Sequence, residues 1–343
     1  MGKNIVILSD GTGQEGGSDH NTNVYKLYNM LLHRSPKQIA YYDRGIGTGI
    51  SKFMSNAGGF GISKNIKDCY RFLHEHYQTG DSVYLFGFSR GAATVRSLSS
   101  FIHLFGILPQ SRAKLIDQAY KIYKTRDRAK RDKKAKEFIN FHHTMWCRIK
   151  FVGVWDTVAA LGVPSETANV LLDRIPLFRN KFQDFSLSES VENAFHALAV
   201  DDVRKTFHPI LWENEVKDYQ TVKQVWFSGM HTDVGGGYKE HDLSDITLKW
   251  MMNRAAENGL EIYDGHNVKV NAQANGHMHD STANGIGKYI KKQIRSWPYE
   301  THGEPIVHQS VIDRNLGPNN KEDPDHRPWI THSPFITEPW DKD

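Results

Sequence analysis

The sequence DSVYLFGFSRGAATVRSLSS, at residues 81–100, contains an apolar run, a glycine-flanked turn and a helix-compatible segment. The apolar run at residues 83–86 predicts a buried strand, and the small residues from Ala92 onward predict a helix. The turn between them is a Gly-x-Ser-x-Gly motif centred on Ser89. At such a strand–turn–helix junction the serine has a strained backbone and presents its hydroxyl above the sheet. We therefore predict that Ser89 is a nucleophile; the alternative is a chance motif in a glycine-bearing loop.

The residues around the predicted nucleophile suit the stabilisation of an oxyanion. Gly87 and Gly91 lack the Cβ atoms that would clash where the strand and the helix approach each other. The N–H of Arg90, at the N-terminus of the predicted helix, is expected to point at an oxyanion. We expect the second donor to come from the backbone at Gly11 or Thr12, after the first predicted strand.

The length and composition describe an ordinary globular protein. A chain of 343 residues is long enough for one large α/β domain or two smaller ones. Its hydrophobic content of 39% and charged content of 24% are typical of globular proteins, and a net charge of +4 does not require a nucleic-acid partner. Because no repeat or low-complexity linker divides the sequence, we predict a single domain over residues 1–343, with a core at about residues 3–258.

The cysteines and the apolar runs bear on cofactors and location. Cys69 and Cys147 lack the spacing of zinc ligands, so we predict no metal site and no cofactor. The first residues lead straight into a strand, without the layout of a signal peptide. The longest apolar runs are well short of the roughly 18 residues of a membrane-spanning helix. We expect a chain that is cytoplasmic as synthesised and has no transmembrane segment.

The predicted first strand, at residues 4–9, is followed by a glycine-rich sequence that allows other interpretations. Gly11-x-Gly13-x-x-Gly16 imitates a dinucleotide-binding fingerprint, with Asp43 in place of the ribose-binding acid. The third glycine of that fingerprint should begin a helix, whereas here a polar loop continues. Asp10 is placed like a phosphotransferase aspartate, but this stretch lacks the usual second carboxylate. We favour ligand contacts at the carboxyl edge of a sheet over both alternatives.

The order of the elements in the first hundred residues predicts the fold class. A strand at residues 39–42 leads into a glycine-rich segment at residues 44–61, which suits either an anion-binding nest or a flexible rim of the active site. We favour the rim. Residues 62–77 have helical periodicity and precede the strand of the Ser89 motif. The alternation of strands and helices predicts an α/β-hydrolase-like fold, with a mostly parallel sheet and helices on both faces.

Residues 111–138 are predicted to be helical and are strongly basic. Between Arg112 and Lys136 there are 11 Lys or Arg residues and 3 Asp residues. Two interpretations stay open for this insertion, which we place at about residues 111–140. It is either a solvated helical insertion, or a cap that binds anionic head groups of a membrane through its basic face.

A candidate acid follows the next predicted strand, at residues 149–154. Asp156 is placed where a triad acid would orient an imidazole and stabilise its protonated form. The alternative is a helix N-cap or a strand-end turn. Residues 192–200 are predicted to be helical, and we expect the histidine within them, His196, to be structural rather than catalytic.

A candidate base follows the strand predicted at residues 222–228. His231 comes directly after it in a glycine-rich loop, and it completes the Ser…Asp…His order of α/β-hydrolases. The next candidates are His277 and His279. Asp233 is placed either to orient the base or to bind backbone amides of its own turn, and we favour the turn.

The remainder of the chain has one clear element. Residues 243–258 predict a helix that a glycine ends. From residue 259 to 343 the sequence has little periodicity, so we predict an irregular segment that wraps the core or lines the pocket.

Six segments, taken together and in order, resemble one family. They are residues 9–12 (SDGT), 42–48 (YDRGIGT), 87–92 (GFSRGA), 153–158 (GVWDTV), 196–201 (HALAVD) and 231–238 (HTDVGGGY). This set is similar to the DUF2235 family, the catalytic domain of type VI secretion lipase effectors of the Tle1 class. The resemblance runs from about residue 3 to residue 255.

The resemblance implies an α/β-hydrolase fold and a phospholipase or related esterase activity. By matching motif positions it implies Ser89 as nucleophile, Asp156 as acid and His231 as base. For an effector it also implies export by a type VI system, a cognate immunity protein and peripheral contact with a membrane. We expect the chain to lack the large additional region of the secreted effectors, and we keep a smaller ester as an alternative substrate.

We therefore predict a serine hydrolase that acts on phospholipids through an acyl-enzyme. A soluble carboxylesterase or deacylase is the alternative enzyme, and an inactive hydrolase-fold binding protein or a nucleotide-binding module is the alternative from another class. The residues that we expect to contact the substrate are Asp10, Arg44, Gly45, Phe88 and Asp233.

Overall fold

The computed structural model describes residues 2–11, 16–17, 20–45, 60–158, 187–213, 216–283, 290–316 and 326–341. Within these ranges, a sheet of eight strands forms the centre of the protein. The strands are β1 (Asn4–Ser9), β2 (Gln38–Asp43), β3 (Ser82–Phe88), β4 (Ile149–Trp155), β5 (Val191–Ala199), β6 (Thr221–Phe227), β7 (Ile306–His308) and β8 (Ile336–Glu338). They lie in the order β2-β1-β3-β4-β5-β6-β7-β8, and every neighbouring pair is parallel. The predicted α/β fold with a mostly parallel sheet is confirmed.

Helices of different lengths connect the strands. In the same parts of the chain they are α1 (Asn23–Met30), α2 (Phe60–His76), α3 (Arg90–Phe105), α4 (Leu115–Tyr123), α5 (Arg128–His142), α6 (His231–Gly235), α7 (Asp242–Glu257), α8 (Tyr299–His302) and α9 (Gln309–Leu316). Short 3-10 turns occupy Gln110–Arg112, Lys205–Phe207 and Trp329–His332. Within the described ranges, no helix has the length and apolar character needed to cross a membrane.

Helices cover both faces of the sheet because alternate strand residues point to opposite sides. In β1, Ile5 and Ile7 are buried on the side of α2 and α3. Val6 and Leu8 are buried on the other side, with α1 and α7. Burial of both faces is the usual condition of an all-parallel sheet. It confirms the prediction of helices on both faces.

The strand order reverses at β1, which lies between β2 and β3. In open α/β sheets, ligands bind at the carboxyl ends of the strands beside such a reversal. Ser9, the last residue of β1, is in register with Asp43 of β2 and Gly87 of β3. A Cβ on Gly11 would stand 3.6 Å from the Cβ of Ser89. The chain after β1 and the chain after β3 therefore meet at this edge.

The segment predicted to be a helix at residues 192–200 is strand β5, so that prediction is wrong. β5 pairs with β4 and β6, and its residues from Ala194 to Ala199 are all buried. A continuous buried run has no period that separates a strand from a helix, and its alanines favour a helix in isolation. Pairing with two neighbouring strands overrides that local preference, which places His196 inside the sheet.

The C-terminal part of the chain is more regular than the predicted wrap over residues 259–343. β7 pairs with β6 and β8 pairs with β7, so this part extends the sheet at one edge. Val307 of β7 is buried in a cluster with Trp226 of β6. Each of the two strands has only three residues, which is too short for a periodic pattern to reveal in sequence.

The basic insertion forms α4 and α5, which pack against α3. Phe138 of α5 contacts Phe105, the last residue of α3, with ring centroids 5.7 Å apart. Met145, after α5, pairs with Ile107, after α3. These contacts are at the end of α3 opposite the predicted nucleophile. The insertion is helical, as predicted, and the end of α5 lies toward the amino edge of the sheet, away from Ser89.

Candidate active site

Ser89 stands at the sharp turn between β3 and α3. Its φ of +58° and ψ of −119° place a non-glycine residue in a rarely occupied region of backbone space, and such strain clusters at functional sites. A Cβ on Gly87 would lie 2.5 Å from the carbonyl oxygen of Gly91, and a Cβ on Gly91 would lie 2.0 Å from that of Ser9. The turn therefore requires glycine on both sides, as the motif indicates.

His231 lies between Ser89 and Asp156. Its Nε2 is 2.8 Å from the Ser89 Oγ, and its Nδ1 is 2.6 Å from Oδ2 of Asp156. It is the first residue of α6, and its backbone N–H donates to the carboxylate of Asp202 at 3.2 Å. Its ring contacts that of Phe88, with centroids 4.6 Å apart. Backbone and ring contacts together hold the imidazole between the two predicted partners.

Asp156 follows β4 with a φ of +38°. Its N–H donates to the carbonyl oxygen of Ala197 on β5 at 2.8 Å, and the next N–H, of Thr157, donates to Nε2 of His196 at 3.0 Å. Burial lowers the pKa of His196 to about 3, so this ring is a neutral acceptor. His196 thus supports the turn that carries Asp156, which agrees with a structural role.

Arg295, which no sequence motif marks, pairs with Asp156 through both of its terminal nitrogens. Nη1 donates to Oδ1 at 2.7 Å, and Nη2 donates to Oδ2 at 2.9 Å. The same guanidinium donates to the carbonyl oxygens of Ala199 and Phe207. Neither Arg295 nor Asp156 has any exposed side-chain surface. The residue comes from the segment that was expected to be irregular, so only the folded structure reveals the pair.

The charge state of Asp156 fixes the tautomer of His231. Burial alone would raise the pKa of Asp156, but the charge and hydrogen bonds of Arg295 hold that pKa well below its usual range. An ionised carboxylate has no proton to donate, so Nδ1 of His231 carries the proton in this hydrogen bond. Nε2 is then the acceptor that faces the Ser89 hydroxyl. Such an arrangement is able to remove the proton of Ser89 and to stabilise the resulting imidazolium.

The three predicted oxyanion donors have different outcomes. Arg90 is the first residue of the 16-residue helix α3, so its N–H lies at the helix N-terminus directly after Ser89. The Gly11 N–H donates to Oδ1 of Asp10 at 2.7 Å, which removes it as a free donor in this structure. Thr12 lies outside the described residues. Arg90 is therefore the predicted donor whose position agrees with the role.

Asp10 and Asp43 both point into the protein. Oδ2 of Asp10 accepts the hydroxyls of Thr22 and Tyr42, each at 2.6 Å, and burial raises the Asp10 pKa to about 6. Asp43 accepts the hydroxyl of Ser9 at 2.8 Å. Asp43, held by the Ser9 hydroxyl, is turned away from the position of a ribose. The first helix of the described residues, α1, begins at Asn23 and not at the last glycine of the fingerprint, Gly16. The geometry does not support the dinucleotide interpretation, and the contacts of Asp10 are with the protein itself.

Asp233 belongs to the turn that carries His231. Its Oδ2 accepts the Met230 N–H at 3.0 Å, which confirms that it binds an amide of its own turn. Its Oδ1 lies 2.7 Å from Nδ1 of His279, whose ring centroid is 4.5 Å from that of His277. The two alternative candidates for the base are thus associated with Asp233 and not with the nucleophile.

The other predicted substrate contacts are Arg44, Gly45 and Phe88. Arg44 is exposed, and a Cβ on Gly45 would lie 2.5 Å from the carbonyl oxygen of Asp10. The predicted rim therefore starts in close contact with the chain after β1; its continuation, residues 46–59, lies outside the described residues. Phe88 is 3% exposed and supports the His231 ring from the side.

No metal centre is formed within the described ranges, where no group of three or more His, Cys, Asp or Glu side chains could hold an ion. Cys69 and Cys147 are free, buried thiols. Burial raises the pKa of both thiols, that of Cys147 to about 12, so neither has thiolate character at neutral pH.

Residues 3–254 match the family described as "T6SS, Phospholipase effector Tle1-like, catalytic domain". The chain belongs to this family. The resemblance carried by the six sequence segments is confirmed. Ser89, Asp156 and His231 all lie within the matched region, whereas Arg295 lies beyond it.

Three individual proteins are similar to parts of this chain. An uncharacterized protein of Saccharomyces cerevisiae is 29% identical over an alignment of 231 residues, and the match covers 60% of this chain and 32% of the yeast protein. The crystal structure of an uncharacterized protein from Pseudomonas aeruginosa is 16% identical with a TM-score of 0.44, and the match covers 76% of this chain and 47% of that one. The structure of the Tle1 effector bound to the VgrG spike from the type 6 secretion system is 19% identical with a TM-score of 0.38, and the match covers 69% and 51%. The matched region thus spans from a third to about half of these proteins.

Proposed function

We propose that this chain is a serine hydrolase that cleaves the carboxylic esters of phospholipids. The observation that carries the proposal is the continuous hydrogen-bonded series from Ser89 Oγ through His231 to Asp156, with distances of 2.8 and 2.6 Å. The strained turn at Ser89 and membership of the Tle1-like family support the same function.

In the proposed reaction, Nε2 of His231 takes the proton of Ser89 while Oγ attacks the ester carbonyl carbon. The N–H of Arg90 stabilises the tetrahedral oxyanion, and Asp156 stabilises the imidazolium. His231 then gives its proton to the departing alcohol oxygen as the carbon–oxygen bond breaks, which leaves an acyl group on Ser89. A water molecule, deprotonated by His231, then attacks the acyl carbon; the bond between that carbon and Ser89 Oγ breaks, His231 returns the proton to Oγ, and the carboxylic acid is released.

The substrate class is tested by a direct comparison of two kinds of ester. We expect the wild-type protein to release fatty acid from mixed phosphatidylethanolamine–phosphatidylglycerol vesicles, and Ser89→Ala to release none. If the protein hydrolyses p-nitrophenyl butyrate but releases no fatty acid from vesicles, the result would support a soluble carboxylesterase or deacylase and contradict the phospholipase.

The exposed aromatic residues at the end of the basic insertion do not fit the role of a membrane-binding cap over the site. Phe141 and Trp146 are 76% and 57% exposed near several lysines, which is a composition found at membrane surfaces. They lie toward the amino edge of the sheet, however, and Ser89 lies at the carboxyl edge. A bilayer bound by these residues would face away from the nucleophile. We therefore propose that the bilayer holding the substrate approaches the carboxyl edge.

Membership of an effector family also supports export by a type VI system and neutralisation by a cognate immunity protein. These partners are part of the proposal for this chain. Co-purification of a protein encoded beside the gene, with loss of Ser89-dependent hydrolysis in the complex, would support them. Full hydrolysis in the presence of that protein would count against an immunity role.

A further inference from the structure

We infer that Arg295 is a positioning residue of this site: it fixes the orientation of Asp156 and offsets part of the charge of that carboxylate, and so affects the rate and the pH dependence of the proposed hydrolysis. The inference rests on the proposed function of Ser89, His231 and Asp156. Arg295 lies outside the region matched by the family, so nothing in that match assigns it a role.

Arg295 fixes the geometry of the Asp156 carboxylate. Two parallel hydrogen bonds from one guanidinium fix both the position and the plane of a carboxylate. The Ala199 N–H donates to Oδ1 of Asp156 at 3.1 Å, which adds a third fixed contact. Oδ2 remains the atom that accepts Nδ1 of His231. Arg295 thus holds the oxygen that orients the base.

Arg295 also changes the net charge beside His231. In a Ser-His-Asp triad, the negative acid stabilises the protonated histidine. Here the fully buried, positive Arg295 lies on the same carboxylate, so the net charge beside His231 is smaller than the charge of Asp156 alone. A nearby positive charge disfavours protonation of a base. Removal of the Arg295 charge would therefore change the electrostatic potential at the base as well as the position of the acid.

Other charged groups lie near this pair. Asp201 and Asp202, after β5, also interact with the Arg295 charge. Asp202 is neutralised locally by Arg204, whose Nη2 donates to it at 2.6 Å. His196, on β5, is neutral because burial lowers its pKa. The pair with Asp156 is thus the closest charged contact of Arg295 in the described structure.

Arg295 is not needed merely to attach its segment to the core. The Gln293 N–H donates to the Val203 carbonyl oxygen at 2.6 Å, and the Lys205 N–H donates to the Lys291 carbonyl oxygen at 2.9 Å. These backbone bonds join the segment to the loop after β5 independently of the guanidinium. If Arg295 acts in the site, its replacement should therefore change catalysis as well as stability.

The test measures the pH dependence of fluorophosphonate labelling and of kcat/KM on p-nitrophenyl butyrate. In Arg295→Gln, we expect the midpoint of the acid limb to move up by about 1 pH unit or more, as expected for removal of one nearby charge at an effective dielectric constant of about 20. Arg295→Lys keeps the positive charge but loses the planar guanidinium that makes two parallel hydrogen bonds. The midpoint of its acid limb should therefore stay within about 0.3 pH unit of the wild-type value, while kcat falls about tenfold at unchanged KM.

Arg314→Gln is the matched control. Arg314 is also buried in the C-terminal part, and it donates to the carbonyl oxygens of Ala274 and Gly276 at 2.9 and 2.7 Å. Its replacement should lower the melting temperature and leave the acid limb in place. Arg295→Gln should both lower the melting temperature and move the acid limb to higher pH.

The outcomes separate this inference from the proposed function. An unlabelled, inactive wild-type protein would overturn the proposed function and the inference with it. An active wild type with an unshifted acid limb in folded Arg295→Gln would overturn the inference alone. If Arg295→Gln does not fold, Arg295→Lys provides the test. An unchanged kcat in Arg295→Lys would overturn the inference. A fall in kcat of about tenfold, with the acid limb in its wild-type position, would support it.

Discussion

Asp156 and Arg295 form a two-bond ion pair in which neither side chain is exposed, although 139 positions separate them in sequence. Such a pair is costly to break on one side because the remaining charge is buried without compensation. The acid of the proposed triad is therefore also a structural element of the fold. Its replacement should affect both catalysis and stability.

Asp156→Asn should lower kcat on p-nitrophenyl butyrate by about 10⁴-fold, because an amide favours the wrong tautomer of His231. It should also lower the free energy of unfolding by about 3–5 kcal/mol, because Arg295 loses its counter-charge. Steady-state kinetics and urea unfolding measure the two effects. Asp201→Asn, at a carboxylate that accepts the Gly229 N–H, should keep kcat within about tenfold. Near-full activity of Asp156→Asn with loss of activity in Asp201→Asn would overturn the assignment of the acid.

Gly91→Ala should abolish the geometry of the nucleophile. Its Cβ would stand 2.0 Å from the backbone oxygen of Ser9, which cannot move without displacing β1. We expect a loss of about 3 kcal/mol or more in unfolding free energy, and labelling of Ser89 at least about 100-fold slower. Gly80→Ala is the control, since Gly80 has a φ of +95° but no heavy atom within 4 Å of the added Cβ. It should cost about 1–2 kcal/mol and leave labelling intact; equal labelling of both variants would contradict the prediction.

Asp10→Asn should change the pH dependence of stability. The folded pKa of Asp10, about 6, lies above the ordinary value of 3.8 because the carboxyl is buried. The contribution of the protonated Asp10 carboxyl to the free energy of unfolding is therefore complete below pH 3.8. This contribution is lost as the pH rises through about 6. Relative to the variant, the wild-type protein should lose about 3 kcal/mol between pH 4 and pH 7 in urea unfolding. Parallel curves for the two proteins would show that Asp10 does not titrate in this window.

Removal of basic charge from α5 should leave hydrolysis unchanged. Lys133, Lys134 and Lys136 are exposed on a helix that packs at the far end of α3 from the nucleophile. We expect the triple substitution to Gln to hydrolyse both p-nitrophenyl butyrate and phospholipid vesicles within about twofold of wild type, because charges this remote are screened by salt. A selective loss on vesicles would restore the interpretation of the insertion as a membrane-binding cap.

The parts of the site that follow sheet strands were predictable from sequence. Ser89, Asp156 and His231 each come just after an apolar run, and parallel strands bring their carboxyl ends to one edge. The motif around Ser89 also indicated the glycines that its turn requires. Position in the fold and residue type were enough to place these three side chains near one another.

Other parts depend on contacts that no local pattern reveals. Arg295 lies in a short irregular segment, and its role follows only from where that segment meets β5. The buried alanines of β5 suit a helix as well as a strand, and pairing with two neighbours decides between them. The Gly11 amide is engaged by the side chain of the preceding residue, Asp10, a local geometry that a glycine-rich pattern does not specify.

The most direct test of the account is fluorophosphonate labelling of the wild-type protein and of Ser89→Ala, followed by intact mass and peptide mapping. Ser89→Ala leaves His231 and Asp156 in place and removes only the attacking oxygen, which should lower kcat by on the order of 10⁶-fold. The account predicts one adduct per chain, located on Ser89 and absent from the variant. An unlabelled wild-type protein, or an adduct that persists in Ser89→Ala, would contradict the central claim.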